Sequence, residues 1–414
     1  MRNKKDSKKE IFYELNFNKN DKTKLGIIEV IFLLTVIFII GILIGFLIGS
    51  KKEINKTLTK EDNNKLDNFT KTYKYILDNY YGDINEDELF NAALEGMLSK
   101  LGDSNTTYID SESSNNFNIT LEGSYIGLGI EITNDVETGN IKIVSIFKDS
   151  PADKYGLLVG DILLKIDDKD MKGEKTSVFS KYVREKEDKS FELLISRNGE
   201  EKTIKIDKDN VVLKSVVYNL IEKNNKKIGY IYLSIFANNT YEQFKEALED
   251  LESKNIDSLI IDVRSNSGGH MVTAKKILEL FLDNNYILYQ TEGKEGIEKI
   301  YSNGNITKTY KIVLLGNELS ASSSEILISG LKDNLNAIYV GEKTYGKGTV
   351  QELRTLPDGS EYKFTTKKWL TPNGICIDKI GITPDYIVSL DDNYINNPTD
   401  ENDNQLNKAI ELLQ

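Results

Sequence analysis

Apolar and polar positions follow three different patterns along this chain. An uncharged apolar run covers residues 30–50, about the 20 residues that a helix needs to cross a lipid bilayer. From about 60 to 101 the apolar positions recur at helical spacing, which predicts a small helical region. From about 121 to 208 short alternating stretches, separated by turn residues such as glycine and asparagine, predict a compact module rich in β-strands.

Beyond about residue 211, apolar strands such as "KIVLLGN" alternate with helical stretches. This alternation predicts a layered α/β domain. In folds of this class, functional residues lie in loops just past the ends of the strands. Three polar or glycine-rich stretches occupy such positions: "SNSGGH", "ELSASSS" and "TYGKGTVQ".

The chain has 414 residues, and at about 150 residues per domain this length suggests two or three domains. The fold class that we predict is multidomain α+β. The predicted divisions are a cytoplasmic basic segment at 1–28, a transmembrane helix at 29–50, a helical N-terminal region at 51–115, a β-rich domain at 116–208, a layered α/β domain at 209–390, and a C-terminal helix and tail at 391–414.

The apolar run is best explained as a retained membrane anchor. A buried helix would rarely be apolar on every face over this length, and a cleaved signal peptide has a shorter apolar core and a small-residue cleavage site. The stretch "GFLIGSKKE" offers only a poor cleavage site. Basic residues precede the run at positions 2, 4, 5, 8, 9, 19, 22 and 24. The positive-inside rule then predicts that this end is cytoplasmic and that the rest of the chain is extracytoplasmic.

Composition excludes several classes of function. The formal net charge is −12, which disfavours nucleic acid as the main partner. The single cysteine, Cys376, excludes an intramolecular disulfide and a cysteine-rich zinc site. The single histidine, His270, excludes a metal site built from several histidines. We expect no metal and no cofactor.

Four serines cluster between a predicted strand and a predicted helix. Ser320, Ser322, Ser323 and Ser324 lie in "GNELSASSSEILISG". A serine hydroxyl commonly caps the first turn of a helix, and the glutamate that follows suits the positive end of the helix dipole. On this local pattern a cap is the more frequent explanation, so a nucleophilic serine needs support from the rest of the chain.

Lys347 stands between two glycines in "TYGKGT". A lysine is most often a solvated surface charge, and "GEKTYGKGT" lacks the complete pattern of a phosphate-binding loop. A lysine desolvated by apolar neighbours can lose its proton near neutral pH and then deprotonate a serine. His270, with Asp262 or Asp333 as its carboxylate partner, is an alternative base that we rank below Lys347.

Two glycine-containing stretches can present backbone N–H groups to a ligand. Gly268 and Gly269 follow a predicted strand, and beside a nucleophile such a turn can supply an oxyanion donor. Gly127 and Gly129 lie at the start of the predicted strand "GIEIT", whose first residue is Gly129. There the N–H groups could capture a terminal carboxylate while an extended peptide adds to the strand. For each stretch an ordinary glycine turn is the alternative.

In this order, the motifs resemble those of the carboxy-terminal processing proteases, also called tail-specific proteases. "SASSSEI" resembles the family's S-A-S-A-S-E-I, and "VGEKTYGKGTVQ" resembles its lysine loop. "DVRSNSGG" resembles D-L-R-x-N-P-G-G, although Ser267 stands where the family has proline, and Ser323 stands where the serine motif has alanine. "TPNGICIDKIGITPD" and "DNQLNKAIELL" resemble two further family stretches. The resemblance runs from about residue 64 to residue 414.

The resemblance implies a PDZ domain followed by a serine protease domain with the crotonase-like, ClpP-type layered fold. It implies that Ser322 is the nucleophile and that Lys347 is the general base. Gln351 corresponds to the residue that positions the lysine, and Asp333 to a nearby acidic residue with a supporting role.

The resemblance also implies binding roles for backbone groups. The N–H groups of Gly268 and Ser323 would form the oxyanion hole. The substrate tail would bind in the PDZ groove at Gly127, Leu128, Gly129 and Ile130. The expected partners are proteins or peptides with apolar C-terminal tails, and a homodimer is a further family-level expectation.

These observations predict a membrane-anchored, extracytoplasmic serine endopeptidase that recognises C-terminal tails through a PDZ domain and cleaves them with a Ser–Lys dyad. The alternative is a membrane-anchored PDZ protein that binds its partners without protease activity. The presence of Ser322, Lys347 and Gln351 together argues against the alternative.

Overall fold

The computed structural model describes residues 13–18, 21–25, 60–136 and 138–414. The helices are α1 Lys60–Asn79, α2 Glu86–Ser99, α3 Ser111–Glu122, α4 Pro151–Lys154, α5 Thr176–Glu185, α6 Thr240–Ser253, α7 Met271–Glu279, α8 Ser323–Leu335, α9 Asp392–Asn396 and α10 Asn404–Leu413. The strands are β1 Tyr13–Asn18, β2 Asp21–Leu25, β3 Thr107–Ile109, β4 Ser124–Gly127, β5 Ile130–Asn134, β6 Ile141–Ile146, β7 Ile162–Ile166, β8 Lys169–Asp170, β9 Ser190–Arg197, β10 Glu200–Asp207, β11 Asp209–Val212, β12 Val216–Lys223, β13 Lys226–Leu233, β14 Ser258–Asp262, β15 Ile287–Gly293, β16 Gly296–Tyr301, β17 Lys311–Gly316, β18 Ile338–Gly341, β19 Thr349–Thr355, β20 Glu361–Leu370 and β21 Tyr386–Ile387.

Two compact units divide the chain, Met1–Leu89 and Phe90–Gln414. In the first, β1 and β2 form an antiparallel pair, and α1 is a helix of 20 residues. No helix in the described ranges combines the length and the apolar character needed to cross a bilayer. The predicted membrane span, residues 29–50, lies outside the described residues.

The predicted β-rich module is an antiparallel sheet in the second unit. Its strands lie in the order β10-β9-β7-β6-β5, and β8 pairs with β7. Asn198 and Gly199 have φ values of 53° and 87°, as a tight hairpin turn between β9 and β10 requires. Phe179 and Val183 of α5 pack into the core of this sheet, so the module has a hydrophobic core of its own.

A six-stranded sheet forms the centre of the α/β domain, in the order β12-β13-β14-β17-β18-β21. All its neighbours pair in parallel except β12 and β13. Leu259 and Ile261 face a core shared with α6, α7 and α8, whereas Ile260 faces α10 on the other side. Because both faces are covered, β14 is an unbroken buried run. The predicted layered α/β architecture is confirmed.

A second sheet, β16-β15-β20-β19, includes β3 from the N-terminal region, which pairs with β20. Trp369 of β20 lies in the same core as the central sheet. The division predicted at residue 116 falls inside α3, which continues to Glu122. There Gly123, with φ of 71°, ends the helix, so the β-rich module begins at β4.

Arg264 connects the end of β14 to the start of α10. Its side chain is 12% exposed and donates to the carboxylates of Asp262, at 2.5 Å, and Asp403, at 2.8 Å. Asp403 also caps α10, because its carboxylate accepts the N–H of Leu406 at 2.9 Å. A buried guanidinium therefore holds the loop after β14 against the terminal helix.

Replacing Arg264 with methionine is expected to lower the free energy of unfolding by about 3–5 kcal/mol, since two buried carboxylates would lose their partner. Urea denaturation, followed by the fluorescence of Trp369, the single tryptophan, measures the loss. Lys245→Met is the control, because Lys245 pairs with Glu249 on an exposed helix face and such pairs contribute less than about 1 kcal/mol. Equal losses in the two variants would contradict the prediction.

Candidate active site

The three predicted loops meet at one edge of the central sheet. The strands β14, β17 and β18 are parallel neighbours, so their carboxyl ends lie side by side. The N–H of Ala321 donates to the carbonyl of Asn266 at 3.0 Å, and the N–H of Tyr345 donates to the carbonyl of Ser320 at 3.0 Å. The backbone thus joins "SNSGGH", "ELSASSS" and "TYGKGTVQ" into one site.

The four serines of the cluster have different surroundings. The hydroxyls of Ser320, Ser323 and Ser324 each donate to a backbone carbonyl, and all three residues are fully buried. Ser322, the N-cap residue of α8, is partly exposed, and in the described residues its hydroxyl donates to no backbone carbonyl. Ser322 is therefore the serine of this cluster whose hydroxyl can meet a substrate.

Ser322 has an unusual backbone conformation, with φ of 56° and ψ of −113°. For a residue with a Cβ atom this conformation costs about 1–3 kcal/mol, and it persists only where the surroundings enforce it. The carboxylate of Glu325 accepts the N–H of Ser322 at 2.8 Å. Ser322 is thus the N-cap residue of α8, as the local pattern predicts, and Glu325 completes the cap by accepting the backbone N–H of the serine.

The carboxylate of Glu325 is fully buried and binds both the serine loop and the lysine loop. Besides Ser322, it accepts the N–H of Lys347 at 2.9 Å, the N–H of Gly346 at 2.8 Å and the hydroxyl of Thr344 at 2.6 Å. Burial raises the pKa of Glu325, and these donors oppose that shift. The sequence signal was an acidic residue opening an otherwise apolar helix, which predicted only a dipole interaction.

Glu325→Gln is expected to lower kcat about 10²-fold, because the amide group cannot accept at both oxygens and the two loops would separate by a fraction of an ångström. It should also destabilise the fold by about 3 kcal/mol, as donors to a buried charge lose their acceptor. Steady-state kinetics and thermal unfolding measure the two effects. Glu318→Gln is the control. Glu318 is an exposed acid in the serine loop just before α8, and its replacement should change neither kcat nor stability appreciably.

Lys347 is half-buried next to Trp369, whose indole N–H donates to the carbonyl of Lys347 at 2.8 Å. Burial lowers the pKa of Lys347, and the charge of Lys363 acts in the same direction. The carboxylates of Glu325 and Asp103 act in the opposite direction. The net depression of the pKa favours the neutral amine that a general base requires.

Gln351 lies on β19, and its side-chain hydrogen bonds go to two threonines. Its amide donates to the hydroxyls of Thr349, at 2.6 Å, and Thr365, at 3.4 Å. Within the described residues no hydrogen bond connects Gln351 to Lys347. Its role in positioning the lysine stays a prediction.

Sequence reasoning missed two residues before β3 that reach the surroundings of the lysine. The carboxylate of Asp103 accepts the hydroxyl of Thr365 at 2.5 Å, and the amide of Asn105 donates to Thr349 at 3.2 Å. Asp103 also raises the pKa of Lys347. The only signal was a polar turn, "GDSNTT", after a predicted helix, and nothing in it indicates a long-range contact.

The predicted oxyanion donors lie beside Ser322. A Cβ atom on Gly268, whose φ is 104°, would lie 2.9 Å from Cβ of Ser322 and 3.1 Å from N of Ser323. Ser323 opens α8, so its N–H has no acceptor within the helix. The N–H of Gly268, however, donates to Oδ1 of Asn266 at 2.9 Å. It becomes available to a substrate only when this hydrogen bond breaks.

Of the other predicted polar residues, Asp333 lies apart from the serine. Asp333 follows Ser322 by 11 positions along α8, or roughly 16 Å of helix, and accepts the N–H of Asn373 at 3.4 Å. His270 has a buried Nε2 without a hydrogen-bond partner among the described residues. Asp262, the carboxylate considered for a histidine-based scheme, is paired with Arg264.

A cavity of about 370 Å³ opens beside the serine and lysine loops. It is lined by Asn105, Ser265, Ser267, Leu319, Ala321, Tyr345 and Lys347. These residues come from all three loops and from the turn before β3. The cavity can receive the side chain of a residue next to the reacting bond.

A second cavity, of about 600 Å³, lies in the β-rich module between β5 and α5. Residues 127–130 line it, and Leu128 is buried at its base. Asn115 and Ile119 of α3 add a wall outside the module.

Comparisons with known proteins give the same order of parts. The model of Peptidase family S41 matches residues 227–388, that of a PDZ domain residues 124–207, and that of the activating protease CtpB N-terminal domain residues 48–113. A probable CtpA-like serine protease of Staphylococcus haemolyticus is 34% identical over 375 residues, which cover 90% of this chain and 74% of the relative.

The carboxy-terminal processing protease CtpB of Bacillus subtilis is 35% identical over 341 residues, 82% of this chain and 71% of that protein. Among solved structures, the photosystem II D1 C-terminal processing protease aligns with 78% of this chain and 86% of its own at 24% identity, with a TM-score of 0.46.

The fold, the site, the family models and the two relatives from Staphylococcus haemolyticus and Bacillus subtilis define a serine peptidase that carries a PDZ domain. The chain belongs to peptidase family S41, among its C-terminal processing peptidases. The family resemblance identified from the motifs is confirmed, as are the PDZ domain and the serine peptidase activity.

Proposed function

We propose that the chain is a membrane-anchored, extracytoplasmic endopeptidase that binds protein C-terminal tails in its PDZ groove and cleaves them with Ser322 and Lys347. The observation that carries this proposal is the buried carboxylate of Glu325, which binds the backbone of both residues at 2.8 and 2.9 Å. One anion thereby holds a partly exposed serine and a half-buried lysine in adjacent loops.

In the proposed acylation step, neutral Lys347 takes the proton of the Ser322 hydroxyl while Oγ attacks the scissile carbonyl carbon. The depressed pKa of Lys347 supports this role. The resulting oxyanion accepts the N–H of Ser323, and that of Gly268 once Asn266 releases it. Removing one such donor typically costs about 10²–10³ in rate.

In the following step, the protonated Lys347 gives its proton to the leaving amine as the peptide bond breaks. A water molecule then loses a proton to Lys347 and attacks the acyl-enzyme. The proton returns to Oγ of Ser322, and the new carboxyl end leaves. Gln351 and Asp103 act on the lysine loop through Thr349 and Thr365 in this scheme.

We propose that the substrate tail adds to β5 with its carboxylate at residues 127–130. The groove of about 600 Å³ between β5 and α5 supports this mode, since PDZ domains bind extended peptides at a sheet edge. The apolar base formed by Leu128 favours an apolar last residue.

The membrane anchor and the outward orientation rest on residues 29–50 and the basic segment before them. Protease treatment of intact spheroplasts tests both. We expect digestion of the PDZ and protease domains with retention of a short membrane-bound N-terminal fragment. Full protection of the chain would contradict the orientation. Light scattering of the detergent-purified chain would test the proposed homodimer.

The test of the activity uses the full chain in a mild detergent with an unstructured polypeptide that ends in apolar residues. Mass spectrometry is expected to show cleavage upstream of the tail. Binding of the tail without cleavage would instead favour the non-catalytic PDZ protein. A His270→Ala variant should cleave at the parent rate, and its inactivity would favour a serine–histidine mechanism.

A further inference from the structure

Lys208 is a buried lysine in the wall of the PDZ groove. It is 8% exposed and lines the same cavity as Gly127, Leu128 and Gly129. It connects β10 to β11, and the next residue, Asp209, pairs with Gly127 across β11 and β4. The strand register therefore places Lys208 beside the loop proposed to hold the substrate carboxylate.

The ammonium group of Lys208 has hydrogen bonds but no counter-ion. Nζ donates to the carbonyl of Val183 at 3.0 Å and to that of Lys186 at 2.5 Å, both at the C-terminal end of α5. In the described ranges Lys208 forms no ion pair with a carboxylate within 4.0 Å. An ammonium group has three N–H donors, so one remains after these two bonds.

A buried charge without a partner is costly, and proteins normally pair it. The negative end of the α5 dipole and the ring of Phe191, 5.7 Å from Nζ, offset only part of this cost. Asp209, which adjoins Lys208 in the chain, is exposed and forms no ion pair with it among the described residues. The missing partner is therefore an anion supplied by the ligand.

We infer that Lys208 is a binding residue for the terminal carboxylate of the substrate, acting with the N–H groups of residues 127–130. The inference rests on the proposed function. It adds a positively charged group that would make the groove prefer peptides ending in a free carboxylate over other extended peptides. Lys208 also shields the carboxylate from the carbonyls at the end of α5, which would otherwise repel it.

The experiment compares two labelled peptides with the same apolar C-terminal sequence, one ending in a free carboxylate and one in an amide. Binding is measured by fluorescence anisotropy with the full chain carrying Ser322→Ala, so that neither peptide is cut. Lys208→Gln is the main variant, because its amide can still donate to Val183 and Lys186 and so preserve the fold. Lys208→Met removes these bonds as well.

In the parent, the free acid is expected to bind at least about tenfold more tightly than the amide, as expected for a hydrogen bond to a charged group. In Lys208→Gln and Lys208→Met, the affinity for the free-acid peptide should fall, while the affinity for the amide peptide stays the same. The ratio of the two affinities should therefore approach one. If Lys208 had only a structural role, the variants would lose affinity for both peptides equally. Partial unfolding lowers the binding-competent fraction for both and leaves the ratio intact.

Lys181→Met is the matched control, since Lys181 lies on α5, the helix whose last carbonyls Lys208 contacts, but has an exposed side chain and should keep the parent ratio. If the parent prefers the acid and Lys208→Gln prefers it equally, the inference about Lys208 is wrong and the proposed function stands. If the parent binds acid and amide equally, carboxylate recognition in this groove fails and the inference falls with it. Absence of cleavage by the chain with Ser322 intact would count against the proposed activity alone.

Discussion

Replacing Ser322 with alanine is expected to abolish cleavage of a tail substrate, with kcat about 10⁴- to 10⁶-fold below that of the parent. The reason is that the other serines of the cluster donate to the backbone and are buried, so they cannot take over the attack. Affinity for the tail should be unchanged, because the PDZ groove lies in another module. Quantitative mass spectrometry of the products measures the rate, and anisotropy measures the affinity.

Ser323→Ala is the control for this experiment. The substitution removes a hydroxyl that donates to the carbonyl of Gly269 at 2.9 Å, but it keeps the backbone N–H proposed for the oxyanion. We expect kcat within about tenfold of the parent, in keeping with the loss of one neutral hydrogen bond. Full activity in Ser322→Ala, together with loss of activity in Ser323→Ala, would show that Ser323 and not Ser322 is the nucleophile.

Lys347→Arg is expected to reduce kcat as strongly as Ser322→Ala, although the positive charge is retained. A guanidinium stays protonated throughout the accessible pH range, so it cannot accept the proton of Ser322. Lys343→Arg, at an exposed lysine of the same loop, should keep the activity of the parent. Substantial turnover by Lys347→Arg would exclude the lysine as the base.

The lowered pKa of Lys347 also makes two pH-dependent predictions. The rate of the parent should rise with pH as the amine loses its proton, with a midpoint below 10.5, the unperturbed pKa. Between the folded and the unfolded pKa the unfolded chain binds more protons, so the contribution of this group to stability increases with pH there. Lys347→Met should therefore be more stable than the parent near neutral pH, and the difference should vanish toward pH 10.5. Equal unfolding curves at every pH would contradict this.

The central sheet could be predicted from the sequence because its strands are continuous apolar runs bounded by turn residues. The loops after β14 and β17 followed from that prediction, since parallel strands bring their carboxyl ends together. Ser322 and Lys347 were predicted because each lies in such a loop within a motif that resembles the family's. Their roles stay predictions, to be decided by the two variants above.

The supporting residues could not be predicted, because their roles depend on contacts between distant segments. Asp103 and Thr365 are separated by 262 positions, and no local pattern of charge or periodicity indicates that they meet. The local pattern around Glu325 predicts only an interaction with the helix dipole, whereas its carboxylate is the buried acceptor for four donors. The position of Asp333 was predicted from a motif, but helix geometry places it far from Ser322.

The pairing of β4 with β11 brings the two ends of the inserted PDZ domain next to each other. The chain enters the domain at Gly123 and leaves it at Leu213, and these residues are joined by a hydrogen bond of 2.8 Å. Segments on both sides of the domain, β3 and β12 to β21, belong to the protease sheets. Domains whose ends are adjacent tolerate exchange without refolding of their host. A different peptide-binding domain could thus be transplanted between these two residues, and the range of tails processed could change by recombination alone while the catalytic machinery stays intact.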